Sequence, residues 1–262
     1  MCAALLAASS ACAAHAPPPA EARQAPPDLA VISWNVHAGE GDLPRLVDDL
    51  TQGRVSGAPV GHVVILLQET IAGGEHDVTT FARERQWWSY FAPVRESDRG
   101  TSGNAVLTTE PPLAASTVVL PRIRRVRKAV TATFEVAGER LFVANAHLEN
   151  RLSWLKGGFF AEGARLRQTE ALLEALPAGP GIVGGDFNTV LGPGEPAWRM
   201  LKTHFNDAPA GTLTPTFRDR LVLDHLFFRL PEGWTATQQV LRSRYGSDHH
   251  PVLGLVYARG RW

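Results

Sequence analysis

Cysteine is almost absent from this chain. Cys2 and Cys12 are the only two in 262 residues, and both lie near the start. From residue 13 onward there can be no disulfide between parts of the chain and no thiolate metal site. Lysine is scarce too: of 26 basic residues, 23 are Arg and three are Lys. Arg suits bidentate phosphate contacts, but a GC-rich genome gives the same bias, so the count alone carries no functional weight. The 26 basic residues are balanced by 26 acidic ones, which excludes a global field drawing the protein onto a polyanion. Any attraction to phosphate has to be local. After the first residues, no apolar run approaches the roughly 20 residues that cross a bilayer. What remains is an ordinary globular composition, 44% hydrophobic and 20% charged, long enough for a sizeable core. A single domain over residues 29–262 is expected.

Residues 1–28 read as a leader and linker. Met1 to Ala16 is mostly Ala, Leu, Ser and Cys with no charge before Glu21, and Pro17-Pro18-Pro19 and Pro26-Pro27 follow as a stiff, open segment. The leader resembles the apolar part of a secretory signal, with Ala14-His15-Ala16 as a small-x-small cleavage site but without a preceding basic segment. A secreted, periplasmic or cell-envelope location is the expectation; a disordered Ala/Pro tail on a cytoplasmic protein is the alternative. The residues before Cys12 faintly resemble a lipoprotein box, but Ser9 stands where an aliphatic residue is expected.

The body alternates short apolar runs with helical patterns. Residues 29–35, 62–69, 103–108, 116–120, 129–136, 140–148, 181–185, 221–228, 235–241 and 252–257 read as strands. A hairpin turn is expected at Ala137-Gly138. Asp42 caps a helix with Leu43, Leu46, Val47 and Leu50 inward and Gly53 at its end. Asp77 caps a second helix. A third runs over 162–176 with Leu166, Leu172, Leu173 and Leu176 inward, and a fourth over 195–202. Trp87-Trp88 reads as core and strand. The pattern indicates layered α/β (α+β) architecture with helices covering sheets.

Six of the apolar runs end on, or contain, polar residues that burial disfavours. They are Asn35, Glu69, His147 in the Asn145–Leu148 end, Asp186 with Asn188, Asp248 with His249, and Asp224 inside Leu221–Phe228. A carboxylate in such a run must be paired or hydrogen-bonded. Each alone reads equally as a cap, a turn former or a satisfied core polar group. As a set they have a chemical character. Hard oxygen donors without cysteine suit Mg²⁺, Mn²⁺ or Ca²⁺, and histidines outside any zinc pattern suit proton transfer.

These segments, in order, carry a resemblance. Trp34-Asn35, Gln68-Glu69, Gly103-Asn104 through Thr108, His147-Leu148, Gly184-Gly185-Asp186-Phe187-Asn188, Leu223-Asp224-His225 and Ser247-Asp248-His249-His250-Pro251 look like the endonuclease/exonuclease/phosphatase superfamily. The match spans about residues 29–257. It implies a four-layered sandwich, two packed mixed β-sheets flanked by helices, and hydrolysis of phosphoesters that depends on a divalent metal. By resemblance, Glu69, Asn35 and Asp248 would hold the metal. His249 would be the general base and Asp224 its orienting partner. Asp186 and Asn188 would position water or stabilise the transition state, and His147, if protonated, would donate to a non-bridging oxygen. Asn104 would contact phosphate. His225 stands where many relatives have Tyr and is expected to pack, and His250 to be a neighbour of the base. His37, His62, His76 and His204 fit no motif and are expected at the surface.

The substrate is less legible. Arg122-Ile-Arg-Arg-Val-Arg-Lys128 holds five basic residues in seven. Arg124 and Arg125 are candidates for binding a polyanionic backbone, and a solvated loop is the alternative. Trp154, Leu155, Phe159 and Phe160 interleave with Arg151 and Lys156, a pattern for stacking on bases, for a membrane interface or for a satellite core. A nuclease or phosphodiesterase acting on nucleic acid is the first reading. A sphingomyelinase-like enzyme on phospholipid, or an inositol-phosphate phosphatase, is the second. A catalytically idle binding protein is the third. No obligate protein partner is evident.

Overall fold

The structure, a computed structural model, describes residues 26–74, 77–150, 161–207 and 214–258. The leader with its signal and lipidation motifs, His76 and the aromatic stretch at 151–160 lie outside the described residues.

The elements run β1 (Leu29–Asn35), α1 (Leu43–Thr51), β2 (Val63–Ala72), α2 (Val78–Glu84), β3 (Trp88–Ser97), β4 (Gly100–Thr108), β5 (Ala114–Leu120), β6 (Arg127–Val136) and β7 (Glu139–His147). They continue with α3 (Glu162–Ala175), β8 (Gly181–Asp186), α4 (Pro196–His204), β9 (Asp224–Arg229), β10 (Thr235–Val240) and β11 (Val252–Tyr257). One sheet has the order β10-β11-β1-β2-β4-β3 and the other β5-β6-β7-β8-β9. Both are mixed: β1–β2 and β7–β8 pair parallel, and their other neighbours pair antiparallel.

Strand alternation builds three cores and therefore four layers. Ala30, Ile32 and Trp34 of β1 face α1, packing with Leu43, Leu46, Val47 and Leu50. Leu29 and Val31 face the other sheet, meeting Val130, Phe134, Val143, Ile182 and Phe228. The outer face of the second sheet presents Phe142, Ala144 and Val183 to Leu172 of α3 and Leu201 of α4. Central strands buried on both faces read as continuous apolar runs rather than alternating ones, which is why β1, β2 and β8 were visible in the sequence. The expected sandwich of two mixed sheets flanked by helices is the observed one.

Three expectations need correction. β3 was not anticipated as a full strand. It is an edge strand interrupted by Pro93, where the register with β4 shifts between Pro93 and Arg95, and an edge tolerates proline because one side needs no donor. Trp87 packs against the helix-side core, but Trp88 is 49% exposed. The inner face of α3 is not a leucine stripe: Arg165, Gln168 and Thr169 are buried beside Leu172, and Leu166 is only half-buried. Arg165 Nε donates to Glu195 Oε2 (2.7 Å), and Gln168 accepts from the Glu149 amide and donates to the Pro121 carbonyl. Hydrogen bonding makes the burial of Arg165 and Gln168 tolerable, whereas Thr169 Oγ1 has no partner.

Candidate active site

The two parallel pairs deliver their C-terminal ends to one mouth of the sandwich. Asn35 ends β1, His147 ends β7, Asp186 ends β8, and Asp224 opens β9 directly opposite Asp186. Glu69 reaches the same mouth through a bulge. Between the Leu67–Ala105 and Thr70–Gly103 pairs, two residues of β2 face one of β4, an extra residue that bends the strand and re-aims its side chain. Glu69 itself has φ +56°, a left-handed conformation uncommon outside glycine. Asn145 clamps the bulge from the opposite sheet: its Nδ2 donates to the carbonyls of Leu67 and Ala105, and its Oδ1 accepts from Gln68 Nε2 (2.7 Å).

The glycines before Asp186 are demanded by close approach. A Cβ at Gly185 would sit 1.8 Å from the Ala146 carbonyl oxygen, and one at Gly184 would press on Leu66 and Leu226 between the sheets. β8 can therefore lie tight against β7 and present Asp186 beside His147. Asp186 Oδ1 accepts from the Asn188 amide and Oδ2 from Asn35 Nδ2, both at 3.0 Å. His147 Nε2 lies 3.5 Å from Asp186 Oδ2 and 4.0 Å from Glu69 Oε1. Asn188, at φ +52°, donates its side-chain amide to the Leu148 carbonyl.

On the far wall, His249 Nδ1 donates to Asp224 Oδ2 at 2.7 Å. Its Nε2 points inward, 4.0 Å from Asp186 Oδ2 and 3.9 Å from Asp248 Oδ1. Three contacts fix the ring and its backbone. The His249 amide donates to Ser247 Oγ, Trp34 Nε1 donates to the His249 carbonyl, and the Phe217 ring lies 4.8 Å from the imidazole. Asn35, Glu69, His147, Asp186, Asn188, Asp248 and His249 line one cleft of about 440 Å³, with Asp224 immediately behind His249. Of the residues expected to hold the metal or carry the reaction, Asp224 alone does not line the cleft and meets it only through its hydrogen bond to His249.

The electrostatics are those of crowded carboxylates. Burial raises Asp186, and Asp224 across the ladder adds to it, bringing it to about 7 despite His249 and the Asn35 hydrogen bond. Burial alone would lower His249, but the charge and hydrogen bond of Asp224, with Asp186 and Asp248, raise it to about 9. His147 is pushed well below its usual range by burial, then by Arg127 and His249. That downward shift disfavours the charged ring, and a neutral imidazole can still donate through its ring N–H.

Other residues fall differently from expectation. Asp248 lines the cleft but its Oδ2 accepts from Arg218 Nε and Nη2 (3.2 and 3.0 Å). His37 is no bystander. It lines the cleft with its Nδ1 3.7 Å from Asp248 Oδ1. His62 is largely buried, edge-on to Phe134, rather than at the surface, whereas His204 is exposed. His225 packs among Phe187, Trp198 and Phe227, where burial lowers it to about 4. His250 is tied to the Leu241 carbonyl and Asp219, as befits a neighbour. Arg218 and Phe217 of the loop before β9 were missed; no motif marks them.

A second lobe of about 740 Å³ adjoins the first and shares Glu69 and His147 with it. Arg95, Arg99, Arg122, Arg125, Arg127 and Lys128 line it, against the carboxylates of Asp98 and Glu69. Arg125 is where expected. Arg124 is not among the lining residues; its backbone N–H donates to Glu149 Oε2. Asn104 lines the lobe, but its Nδ2 donates to the Lys128 carbonyl at 2.8 Å, tying β4 to β6. That tie commits one of the two Nδ2 hydrogens.

Hard oxygen donors at the shared boundary fit a divalent cation. Glu69, with a third of its side chain exposed to the cleft, can offer a carboxylate, and Asn35 and Asp186 stand beside it. The upward pull on Asp186 comes first from burial and then from the negative charges of Asp224 and Glu69, a part that a cation would offset. Asp186, Asp224 and His249 also bring potential ligand atoms within 4.8 Å of one another. The hydrogen bond commits His249 Nδ1 and Asp224 Oδ2 to each other and leaves His249 Nε2 and the unpartnered Asp224 Oδ1 as what these two can offer an ion.

The fold is that of a phosphoesterase family. Residues 32–249 match the model of the Endonuclease/Exonuclease/phosphatase family, and the chain belongs to it. Among solved structures, it resembles the human Nocturnin catalytic domain with bound sulfate anion, at 19% identity and TM-score 0.65, covering 89% of this chain and 95% of that one. An endonuclease/exonuclease/phosphatase family protein from Leptotrichia buccalis gives 14% identity and TM-score 0.63, covering 88% and 100%. A D. rerio TDP2 complexed with single strand DNA product gives 19% and 0.55, covering 88% and 99%. At these identities the likeness is one of fold. No curated protein matches the sequence.

Proposed function

We propose that this protein hydrolyses phosphodiesters with the help of a divalent cation, preferring nucleic-acid or nucleotide substrates. The observation that carries the reading is the His249–Asp224 pair facing Asp186 across the cleft that Glu69 enters. His249 Nε2 is the group placed to take a proton from water, and Asp224 holds the opposite nitrogen so that Nε2 is the one presented. Asp186, accepting from Asn35 and the Asn188 amide, orients the water. His147 stands where its ring N–H can donate to a non-bridging oxygen. Mg²⁺ or Mn²⁺ at Glu69 and Asn35 would supply Lewis-acid polarisation of the phosphoryl oxygen and, by offsetting the carboxylates, lower His249 into its basic form.

The substrate preference is supported by the basic lobe, which suits an anionic chain better than a choline headgroup, and by the DNA product bound to a TDP2 of similar fold. Purified protein incubated with plasmid DNA, RNA, sphingomyelin and inositol phosphates, with Mg²⁺ or EDTA, tests it. Metal-dependent polynucleotide cleavage is expected. Cleavage of lipid alone would overturn the preference, and cleavage of nothing would leave a binding protein.

A further inference from the structure

Four strands end the two sheets, and three of these edges are guarded. β3 is broken by Pro93, shifts register there and carries Arg95 and Glu96. β9 is buried from Asp224 to Phe228, and its Phe228 carbonyl accepts from the Asp207 amide. β10 exposes only the polar Thr237 and Gln239. β5 has no such guard. It pairs with β6 over seven residues without a register shift, and residues 111–121 carry no charge. An unguarded edge is a template for another strand. The face beside that edge is open as well. Ala115, Thr117 and Val119 lie opposite Ala132, Val130 and Lys128, and Val130 and Ala132 belong to the core between the sheets. Directly opposed residues share a face. These side chains, with Leu113 in step before them, therefore continue the floor of that core. The last strand of the other sheet, β3, lies over β6 and leaves them uncovered: Leu113 is 56% and Val119 69% exposed. Trp88 alternates on β3 with Tyr90 and Ala92, which pack into the same core. It is 49% exposed, opposite Thr108, where β4 leads on to β5.

We infer that this side is an interface between two copies of the chain, joined antiparallel through β5 about a two-fold axis at Ser116. The residues along the strip select a second copy as the occupant. Reversal about Ser116 sets Leu113 against Val119 and Ala115 against Thr117 on the open face, large against large and small against small. Carried past the strand ends, the same register sets Glu110 against Arg122, both exposed. Opposite charges then meet at each end, and the uncharged middle brings no like charges together. A two-fold interface requires that match, because each patch meets itself. The backbone groups of each β5 edge find partners on the other, so the five-stranded sheet continues into one of ten strands. Trp88 from each copy borders the joined floor. Arg122 lines the basic lobe, so Glu110 of the second copy stands at the rim of that lobe. The interface does not rest on the proposed hydrolysis, and either can stand without the other.

Sedimentation velocity on the full chain in reducing buffer, from about 1 to 100 μM, reads the association directly. A monomer–dimer equilibrium is expected. Leu113→Lys/Val119→Lys should sediment as a monomer throughout with an unchanged circular-dichroism spectrum, since both side chains are exposed in the single chain. Glu110→Arg sets like charges together at both ends and should weaken the dimer about 10-fold, the scale of two cross-strand charge pairs. Adding Arg122→Glu to it should restore the association. The axis is tested by cross-linking. Cys2 and Cys12 are the only cysteines, so in a Cys2→Ser/Cys12→Ser background Ser116→Cys meets only its own copy. Opposed Cβ atoms across a strand pair lie close to bridging distance, and mild oxidation should link Ser116→Cys into dimers. Glu139→Cys, exposed at the turn between β6 and β7, should stay largely unlinked. A wild-type monomer at every concentration overturns the inference, even one that takes up another protein on this side. So does a dimer that survives Leu113→Lys/Val119→Lys, or Ser116→Cys that links no faster than Glu139→Cys.

Discussion

The two lobes of the cleft share Glu69 and His147 and are otherwise opposites. In the first, the acidic groups Asp186 and Asp224 are buried and hydrogen-bonded, and Glu69 and Asn188 are held at left-handed backbone angles. In the second, cations dominate, and of these only Arg127 is buried; Arg122 and Arg125 are exposed. Buried, hydrogen-bonded groups on strained backbone suit a site that must place atoms for a reaction. Exposed cations suit recognition, where charge matters more than exact position. On the proposed function, a phosphate would sit at the boundary between the two, with a cation on one side and anion recognition on the other.

The sharpest break of the comparison comes from the acidic lobe. His249→Ala and Asp186→Ala should each lower kcat on a minimal diester such as bis(p-nitrophenyl) phosphate by at least about 10²-fold, with the circular-dichroism spectrum preserved. Near wild-type turnover in both, with excess Mg²⁺, would mean the lobe is not catalytic.

Asp224→Asn comes next and carries a pH signature. Asp224 raises His249, and a base works only when unprotonated. Removing that charge lowers the pKa of His249, so the acid limb of the pH–rate profile should move to lower pH by about one unit, the usual scale of a neighbouring charge. A limb that stays put, or moves upward, would detach Asp224 from His249.

The smallest effect belongs to the basic lobe. Arg125→Gln should raise KM for single-stranded DNA a few-fold and flatten its salt dependence, while leaving kcat nearly unchanged, as a phosphate contact would. A change in kcat without a change in KM would erase the division of labour between lobes.

The same contrast governs what could be read in the sequence. β1, β2 and β8 were legible because burial on both faces makes long apolar runs; β1 and β8 end on, and β2 carries, a polar residue of the candidate site. Asp186, Asp224 and His249 stood out because carboxylates and histidines seldom interrupt such runs. β3 was obscured by Pro93 and by the charges of Arg95 and Glu96, which an edge strand tolerates and a central one does not. The buried face of α3 was illegible since Arg165 and Gln168 look solvent-facing until Glu195 and Glu149 are seen across the fold. Arg127 sat inside a visible basic cluster, yet only the strand register of β6 shows that it turns inward while Arg125 does not. His37 and Arg218 reach the cleft from loops, where no periodicity marks position.

The convergence of polar side chains on one cation is tested most directly by crystals grown with Mn²⁺ and measured for anomalous scattering. The account predicts one peak in the cleft, bonded to the Glu69 carboxylate beside Asn35 and Asp186, and lost in Glu69→Ala. A peak seated away from Glu69, or one unchanged in Glu69→Ala, would contradict it.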